Sequence, residues 1–327
     1  MTRLSKFRAC PLCEAICGLE LQYEAGNLTA IRGDEADPFS RGHICPKGNA
    51  ILDLENDPDR LRRPMRRIGD DWQEIGWDEA FTLVGERLAA IQAEHGPDSV
   101  AAYLGNPNVH HFGHIAYLPF LLKLVRSRNV FSASSVDQWP HQLVNAQMYG
   151  HQFLLPVPDI DNTDYFLMLG ANPIASNGSL MTVPDVKARI KALTARGTLT
   201  VLDPRRTETA ELASQHHFIK PASDVYFLIA FLQALIKTGP ARLQNYADKL
   251  SGFDAALDAI KNFDVSAVET RTGISCETIE RMAADFYNTE SAVAYGGMSV
   301  SVQAHGTLCL WLLQLINIYT GNLDKAG

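Results

Sequence analysis

Four cysteines near the N-terminus constrain this chain most: Cys10-x2-Cys13-x3-Cys17, followed after twenty-seven residues by Cys45-Pro46-Lys47-Gly48. Thiolates are soft ligands, and four drawn from one short segment suit a cubane iron–sulfur cluster or tetrahedral zinc. Structural zinc sites usually present two knuckles of two ligands each. Here three cysteines are bunched and one is remote, with proline directly after it, as in segments that wrap a [4Fe–4S] cluster. Zinc and a disulfide set remain the alternatives. The disulfide reading conflicts with compartment. Cys10 stands too close to Met1 for a secretory segment to precede it, and no twin arginine precedes an apolar run, so a reducing cytoplasm is expected.

With 327 residues and 46% apolar content the chain has material for a core and, on length, for two or three domains. The longest apolar stretch, Leu308 to Tyr319, is broken by Gln314 and Asn317 and is too short to cross a bilayer, so a buried helix and no membrane span are expected. A net charge of −8 argues against nucleic acid as a partner. The local exception is Arg60-Leu61-Arg62-Arg63-Pro64-Met65-Arg66-Arg67, which reads as an anion site or a solvated loop.

Residues 1–58 hold the cysteines, many turn residues and a hairpin running from Gly18–Tyr23 through Gly26-Asn27 to Leu28–Ile31. After Asn56-Asp57-Pro58, Asp78 is placed to cap a helix in which Phe81, Val84, Leu88 and Ile91 recur at helical spacing. From there strands and helices alternate. Strands are expected at Ser99–Leu104, Tyr165–Leu169, Thr198–Leu202, His217–Lys220 and Ala292–Tyr295. Helices are expected at Ile115–Val125, from Pro184 to about Ala195, after a Ser223 cap, and at His305–Tyr319. This order implies an α/β fold with open, mostly parallel sheets. Cys276 and Cys309, outside the cluster, read as small buried hydrophobes.

In such sheets ligands bind beyond the C-terminal ends of the strands. Three loops lie there: Gly170-Ala171-Asn172-Pro173, Asp203-Pro204-Arg205-Arg206-Thr207 and Lys220-Pro221-Ala222-Ser223-Asp224. Together they offer an amide, two carboxylates, a guanidinium and backbone N–H groups, a set suited to a nucleotide. A carboxylate can accept from guanine's N1–H and amino group, and an arginine with a helix start suits a pyrophosphate. Taken singly, Asp203 and Ser223 read equally well as turn caps. No G-x-G-x-x-G follows a strand, which disfavours an NAD-type site.

Several motifs in one order carry a resemblance. They are the cysteine set with Lys47-Gly48, Arg60–Met65 leading to Trp77-Asp78-Glu79-Ala80, Ile160–Asp164 before Gly170-Ala171-Asn172-Pro173, Asp203-Pro204-Arg205 with Thr207 and Thr209-Ala210, and Thr320-Gly321-Asn322-Leu323. Along its whole length the chain resembles the N-terminal part of catalytic subunits of the molybdopterin oxidoreductase (dimethyl sulfoxide reductase) superfamily, which includes formate dehydrogenases and nitrate reductases. The resemblance implies a [4Fe–4S] domain over 1–58, a central α/β domain from 59–130 plus 291–327, and a Rossmann-like guanine dinucleotide-binding domain over 131–290. The family's C-terminal β-barrel lies beyond the stretch that matches.

The same resemblance implies Cys10, Cys13, Cys17 and Cys45 as cluster ligands and two molybdopterin guanine dinucleotides holding molybdenum or tungsten. Lys47 would assist electron passage between cluster and pterin. Asn172, Asp203, Arg205, Thr207 and Asp224 would line a guanine dinucleotide, with Gly297 and Gln303 toward the pterin. The segment Phe131–Trp139 lacks the cysteine or selenocysteine that many relatives supply to the metal, so Asp137, Ser135 or no protein ligand is expected. That departure favours oxygen-atom transfer or hydroxylation. Of the nearby histidines, His141 and His111 are the candidates for proton handling. The expected activity is an oxidoreductase passing electrons between a small substrate and the cluster. Its expected partners are an electron-transfer protein or subunit and a separate polypeptide supplying the C-terminal half. The rival readings are a non-catalytic iron–sulfur scaffold subunit of the same fold and a zinc-stapled α/β binding protein.

Overall fold

Alternating side chains and one tight turn build the first sheet: β1 (Arg3–Ala9), β2 (Gly18–Glu24) and β3 (Asn27–Gly33) pair antiparallel in that order. Ala25 and Gly26 join β2 to β3 with φ of 52° and 86°, the two positive values a short hairpin turn of matching twist requires. The hairpin is the one the sequence suggests. Strand β1 has no counterpart among the expected strands, because its side chains are largely exposed and leave no burial pattern. The computed structural model describes residues 3–178, 180–243 and 246–327.

The chain divides into two compact units, 1–135 and 136–327. In the first, Leu19 and Ile31 pack with Cys10, Ala15 and Cys17 into a small core. The arginine-rich segment is neither an open loop nor a free basic patch. Met65–Ile68 and Asp71–Glu74 form an antiparallel hairpin, β4 and β5, and the guanidiniums find carboxylates. Arg60 and Arg62 both meet Glu55, Arg66 lies 3.4 Å from Glu79, and Arg67 lies 3.4 Å from Asp70. The next helix, Trp77–His95, starts at Trp77 with Gly76 as its cap, so Asp78 sits inside the first turn, where a carboxylate favours the helix N-terminus. The helix forms, yet Phe81, Val84 and Ile91 of its expected stripe stay exposed and it buries no residue. Short strands β6 (Ala102–Leu104) and β7 (Val130–Ser132) pair parallel, flanking the helix Phe112–Val125.

The second unit is a parallel sheet of β8 (Tyr165–Leu169), β9 (Thr198–Leu202), β10 (Gln215–His217) and β11 (Ala292–Gly296), ordered β10-β9-β8-β11. All five residues of β8 are buried because both faces are covered, as the near-continuous apolar run implies. Its residues alternate between two cores. Tyr165, Leu167 and Leu169 join the helices Asp224–Thr238, Cys276–Asn288 and Gly306–Tyr319 on one face. Phe166 and Met168 join Val186, Ile190 and Leu193 of helix Val186–Arg196 on the other.

The pairing of β11 with β8 corrects the grouping of 291–327 with 59–130, since this segment extends the sheet of the 131–290 region. The expected strand at His217–Lys220 lies two residues earlier, at Gln215–His217. Cys309 is buried, with its thiol pushed up to about 12 by desolvation, but Cys276 is exposed in the first turn of its helix. Successive strands run from β8 outward through β9 and β10, and the chain then returns to the other side of β8. The order therefore reverses between β8 and β11, the position where open parallel sheets form a crevice.

Candidate functional site

The four N-terminal cysteines face one space. Cys10, Cys13, Cys17 and Cys45 line a cavity of about 290 Å³ whose other walls are Leu12, Ile16, Leu19 and Ile44, with Lys47 and Gly48 at its edge. The backbone supports this: Cys10 N–H donates to Cys17 O over 2.8 Å, closing the loop between them. Cys45 caps the short helix Pro46–Asn49, its sulfur accepting from Gly48 N–H at 3.5 Å. Pro46 at the first helical position costs nothing there, because that turn lacks an N–H partner anyway.

Burial, then the neighbouring thiols, push Cys17 up to about 11; burial also raises Cys10 and Cys13, where backbone hydrogen bonds and Lys47 pull the other way. Crowded thiols of this kind become stable thiolates once a polycation compensates their charge. Four thiols around one space are a donor set that suits a cluster of several metals.

At the C-terminal edge of the parallel sheet the structure brings the remaining expected residues into two linked groups. In the first, Asn172 follows β8 and is held between elements. Its Nδ2 donates to Glu208 Oε2 over 2.7 Å, and its Oδ1 accepts from Thr209 Oγ1 at 2.8 Å. Arg205 approaches the same Glu208 at 3.6 Å and remains exposed. Thr207 Oγ1 accepts from Ala210 N–H at 3.1 Å, capping helix Glu208–Leu212, which leaves its own O–H available as a donor. In the second group, Asp203 and Asp224 are both buried. Asp203 Oδ1 accepts from Arg205 N–H at 2.8 Å, and Asp224 Oδ2 accepts from Gln303 Nε2 at 3.1 Å. Burial raises the Asp224 carboxyl above its ordinary range, the Gln303 hydrogen bond opposes this, and the Asp203 charge adds to the rise.

Gln303 Oε1 is buried without a hydrogen-bond partner, beside a desolvated carboxylate. Two acceptors side by side match the N1–H and amino donors of a guanine. Between β8 and β11 a crevice of about 370 Å³ opens, lined by Gly170, Asn172, Gly297 and Ser299. Gly297 must be glycine, since a Cβ there would lie 2.6 Å from Ala171 Cβ and 2.7 Å from Gly170 O. The donor set and the crevice fit a guanine nucleotide.

His141, in helix Trp139–Tyr149, is partly buried. Its Nε2 lies 3.3 Å from Gly296 O and its Nδ1 3.3 Å from Ser301 Oγ. A carbonyl only accepts, so Nε2 carries the proton and Nδ1 accepts from Ser301. Burial lowers the imidazole below its ordinary range, while the Gly296 carbonyl and Asp137 raise it. Asp137 is partly buried just before this helix and accepts from Gln138 N–H; Ser135 is exposed. The other candidate, His111, stacks on His114 with ring centroids 4.7 Å apart. Sequence reasoning missed Glu208 and Ser301. Glu208 was legible as an acid beside Arg205 and Thr207, whereas nothing local marks Ser301, which meets His141 across 160 residues.

Residues 60–327 match the molybdopterin oxidoreductase family model, and residues 8–57 match the molybdopterin oxidoreductase Fe4S4 domain. Formate dehydrogenase H of Escherichia coli is 27% identical over 97% of this chain and 44% of its own length. A nitrate reductase of Shewanella frigidimarina is 26% identical over 98% of this chain and 34% of its own. The molybdopterin-containing subunit of a Salmonella typhimurium thiosulfate reductase is 24% identical over 97% of this chain and 41% of its own. Acetylene hydratase from Pelobacter acetylenicus has the same fold, with a TM-score of 0.80 at 20% identity, covering 98% of this chain and 44% of that one. The chain spans less than half the length of the curated relatives named here. Among the described residues no helix is long and apolar enough to cross a membrane. With four thiols around one cavity and a nucleotide-sized crevice at the sheet's switch point, the chain belongs to the molybdopterin oxidoreductase family and carries that family's iron–sulfur domain.

Proposed function

We propose that this chain forms part of a molybdenum- or tungsten-dependent oxidoreductase that passes electrons between a small substrate and a [4Fe–4S] cluster. The observation that carries the reading is the placement of Cys10, Cys13, Cys17 and Cys45 with Lys47 around one cavity. The four thiolates hold the cluster, and apolar walls from Leu12, Ile16 and Ile44 limit water around it. When bound, a molybdopterin-held metal supplies two-electron chemistry, and the cluster takes or gives electrons singly. Lys47, a cation at the edge of the thiol cavity, stabilises added negative charge there and so favours electron entry.

Asp224 and Gln303 Oε1 would accept from a guanine base, Arg205 would pair with its phosphates, and Asn172 and Asp203 would hold the flanking loops in register. Gly297 admits close approach of the remaining ligand to the backbone after β11. Asp137 is the oxygen donor we assign to the metal, a hard ligand suited to a high-valent centre. His141 is the proton-handling group, fixed by Ser301 and Gly296. A small-molecule substrate and an electron-transfer protein or subunit are the partners this activity requires.

The reading is tested by anaerobic purification with electron paramagnetic resonance of the dithionite-reduced protein, together with guanine nucleotide release on denaturation. A cluster signal with bound guanine nucleotide is expected. A cluster signal with no nucleotide, and no nucleotide binding on titration, would instead support an iron–sulfur scaffold subunit.

A further inference from the structure

A cavity of about 430 Å³ lies in the second unit, and neither Asp203 nor Asp224 is in its wall. It opens along the outer edge of β11, between helices Trp139–Tyr149 and Gly306–Tyr319. Its volume is in the range of small-molecule sites. Leu155, Val157, Leu310 and Leu313 make much of its wall apolar.

One polar atom in it lacks a partner. Asn145 is 2% exposed, lines this cavity, and its Nδ2 makes no hydrogen bond. A buried donor left unmade carries its desolvation penalty uncompensated, so folded proteins rarely keep one without a use. Several other polar groups of the wall already have partners. Asn317 donates to Ala294 O at 2.8 Å and accepts from Ala294 N–H at 2.9 Å. Gln314 Oε1 accepts from Tyr149 Oη at 2.8 Å, and both nitrogens of His141 are engaged.

The charges at the rim disfavour an anion. Asp159 and Asp324 line the cavity, and the third charged group, Lys325, sends its ammonium to Glu290 O. We propose that this cavity binds a small uncharged molecule bearing a carbonyl-type oxygen, which accepts from Asn145 Nδ2 while its apolar part packs on Leu310 and Leu313. The assignment does not depend on the metal, the cluster or the role given to His141.

2-Pyrrolidinone, a neutral ring with one such oxygen, is the probe, compared with sodium formate and sodium nitrate by thermal shift and by protein NMR titration. Wild type is expected to be stabilised by pyrrolidinone in a saturable manner, with shifts at Asn145, Leu310 and Leu313, and not by either anion. Asn145→Leu removes the donor and keeps the shape, and should weaken the probe about tenfold, the loss of roughly one hydrogen bond. Without ligand, Asn145→Leu should be at least as stable as wild type, because the unmade donor has gone. Should that variant not fold, Val157→Trp, at the half-exposed rim, is expected to block the probe from the outside. Equal binding by wild type and these variants, preference for an anion, or a crystal structure with only ordered water on Asn145 Nδ2 and no saturable probe binding would overturn the proposal.

Discussion

Gln303 Nε2 donates to Asp224 Oδ2 over 3.1 Å, tying the loop after β11 to the first turn of the helix that follows β10. The bond spans 79 residues and holds a carboxylate where desolvation opposes its charge. An acid whose folded value is raised keeps its proton better when folded, so ionisation above that value works against folding. The helix N-terminus and the Gln303 donor offset this only in part. Asp224→Asn, which preserves the acceptor, should therefore raise stability at neutral pH. The gain should vanish as pH falls below the ordinary carboxylate range. Denaturant melts at two pH values test this, and guanine nucleotide binding should fall in the same variant.

His141 titrates with the opposite consequence. Burial holds the imidazole neutral, with Gly296 O and Asp137 opposing, and its folded value lies below the ordinary one. The folded state thus binds fewer protons than the unfolded state between the two values. Stability is fully present above about pH 6.5, the ordinary imidazole value, and is lost as pH falls toward the folded value. His141→Gln should flatten this part of a stability–pH profile. An unchanged slope would mean the ring is not desolvated in solution.

Asn317 serves the fold. Its amide copies a strand residue, giving and receiving hydrogen bonds with Ala294 on the outer edge of β11, and it is 7% exposed. Asn317→Ala strands a backbone N–H and a carbonyl together, which should cost about 2–4 kcal/mol by the usual penalty for unmade buried partners. Urea denaturation measures it, and hydrogen exchange at Ala294 should accelerate with it.

Lys47 acts through charge. A reduced cluster is more negative than an oxidised one, so a nearby cation stabilises the reduced form. Lys47→Met should lower the cluster's midpoint potential while leaving iron content unchanged. Loss of iron would instead make Lys47 a structural element of the binding loop.

Much of the sheet was legible because β8, β9 and β11 are short apolar runs followed at once by turn residues, a pattern only strands covered on both faces produce. The cysteine set was legible because its spacing alone narrows the metal. Less visible were elements whose stability does not come from burial: β1, largely exposed, and the β4–β5 hairpin, whose arginines pair with carboxylates up to thirteen residues away. Contacts between distant segments left no local trace. Ser301 reaches His141, Gln303 reaches Asp224, and β11 joins the sheet beside β8, which overturned the grouping of 291–327 with 59–130. Cys276 misled because a place near a helix start does not decide which face of the helix a residue takes.

Metal analysis of the anaerobically purified protein, paired with its visible and paramagnetic resonance spectra before and after reduction, tests the central claim most directly. About four iron atoms per chain, with a reducible signal abolished by Cys45→Ala, are predicted from four thiols lining one cluster-sized cavity. About one zinc per chain without iron, bound by the same cysteines, would contradict the redox account.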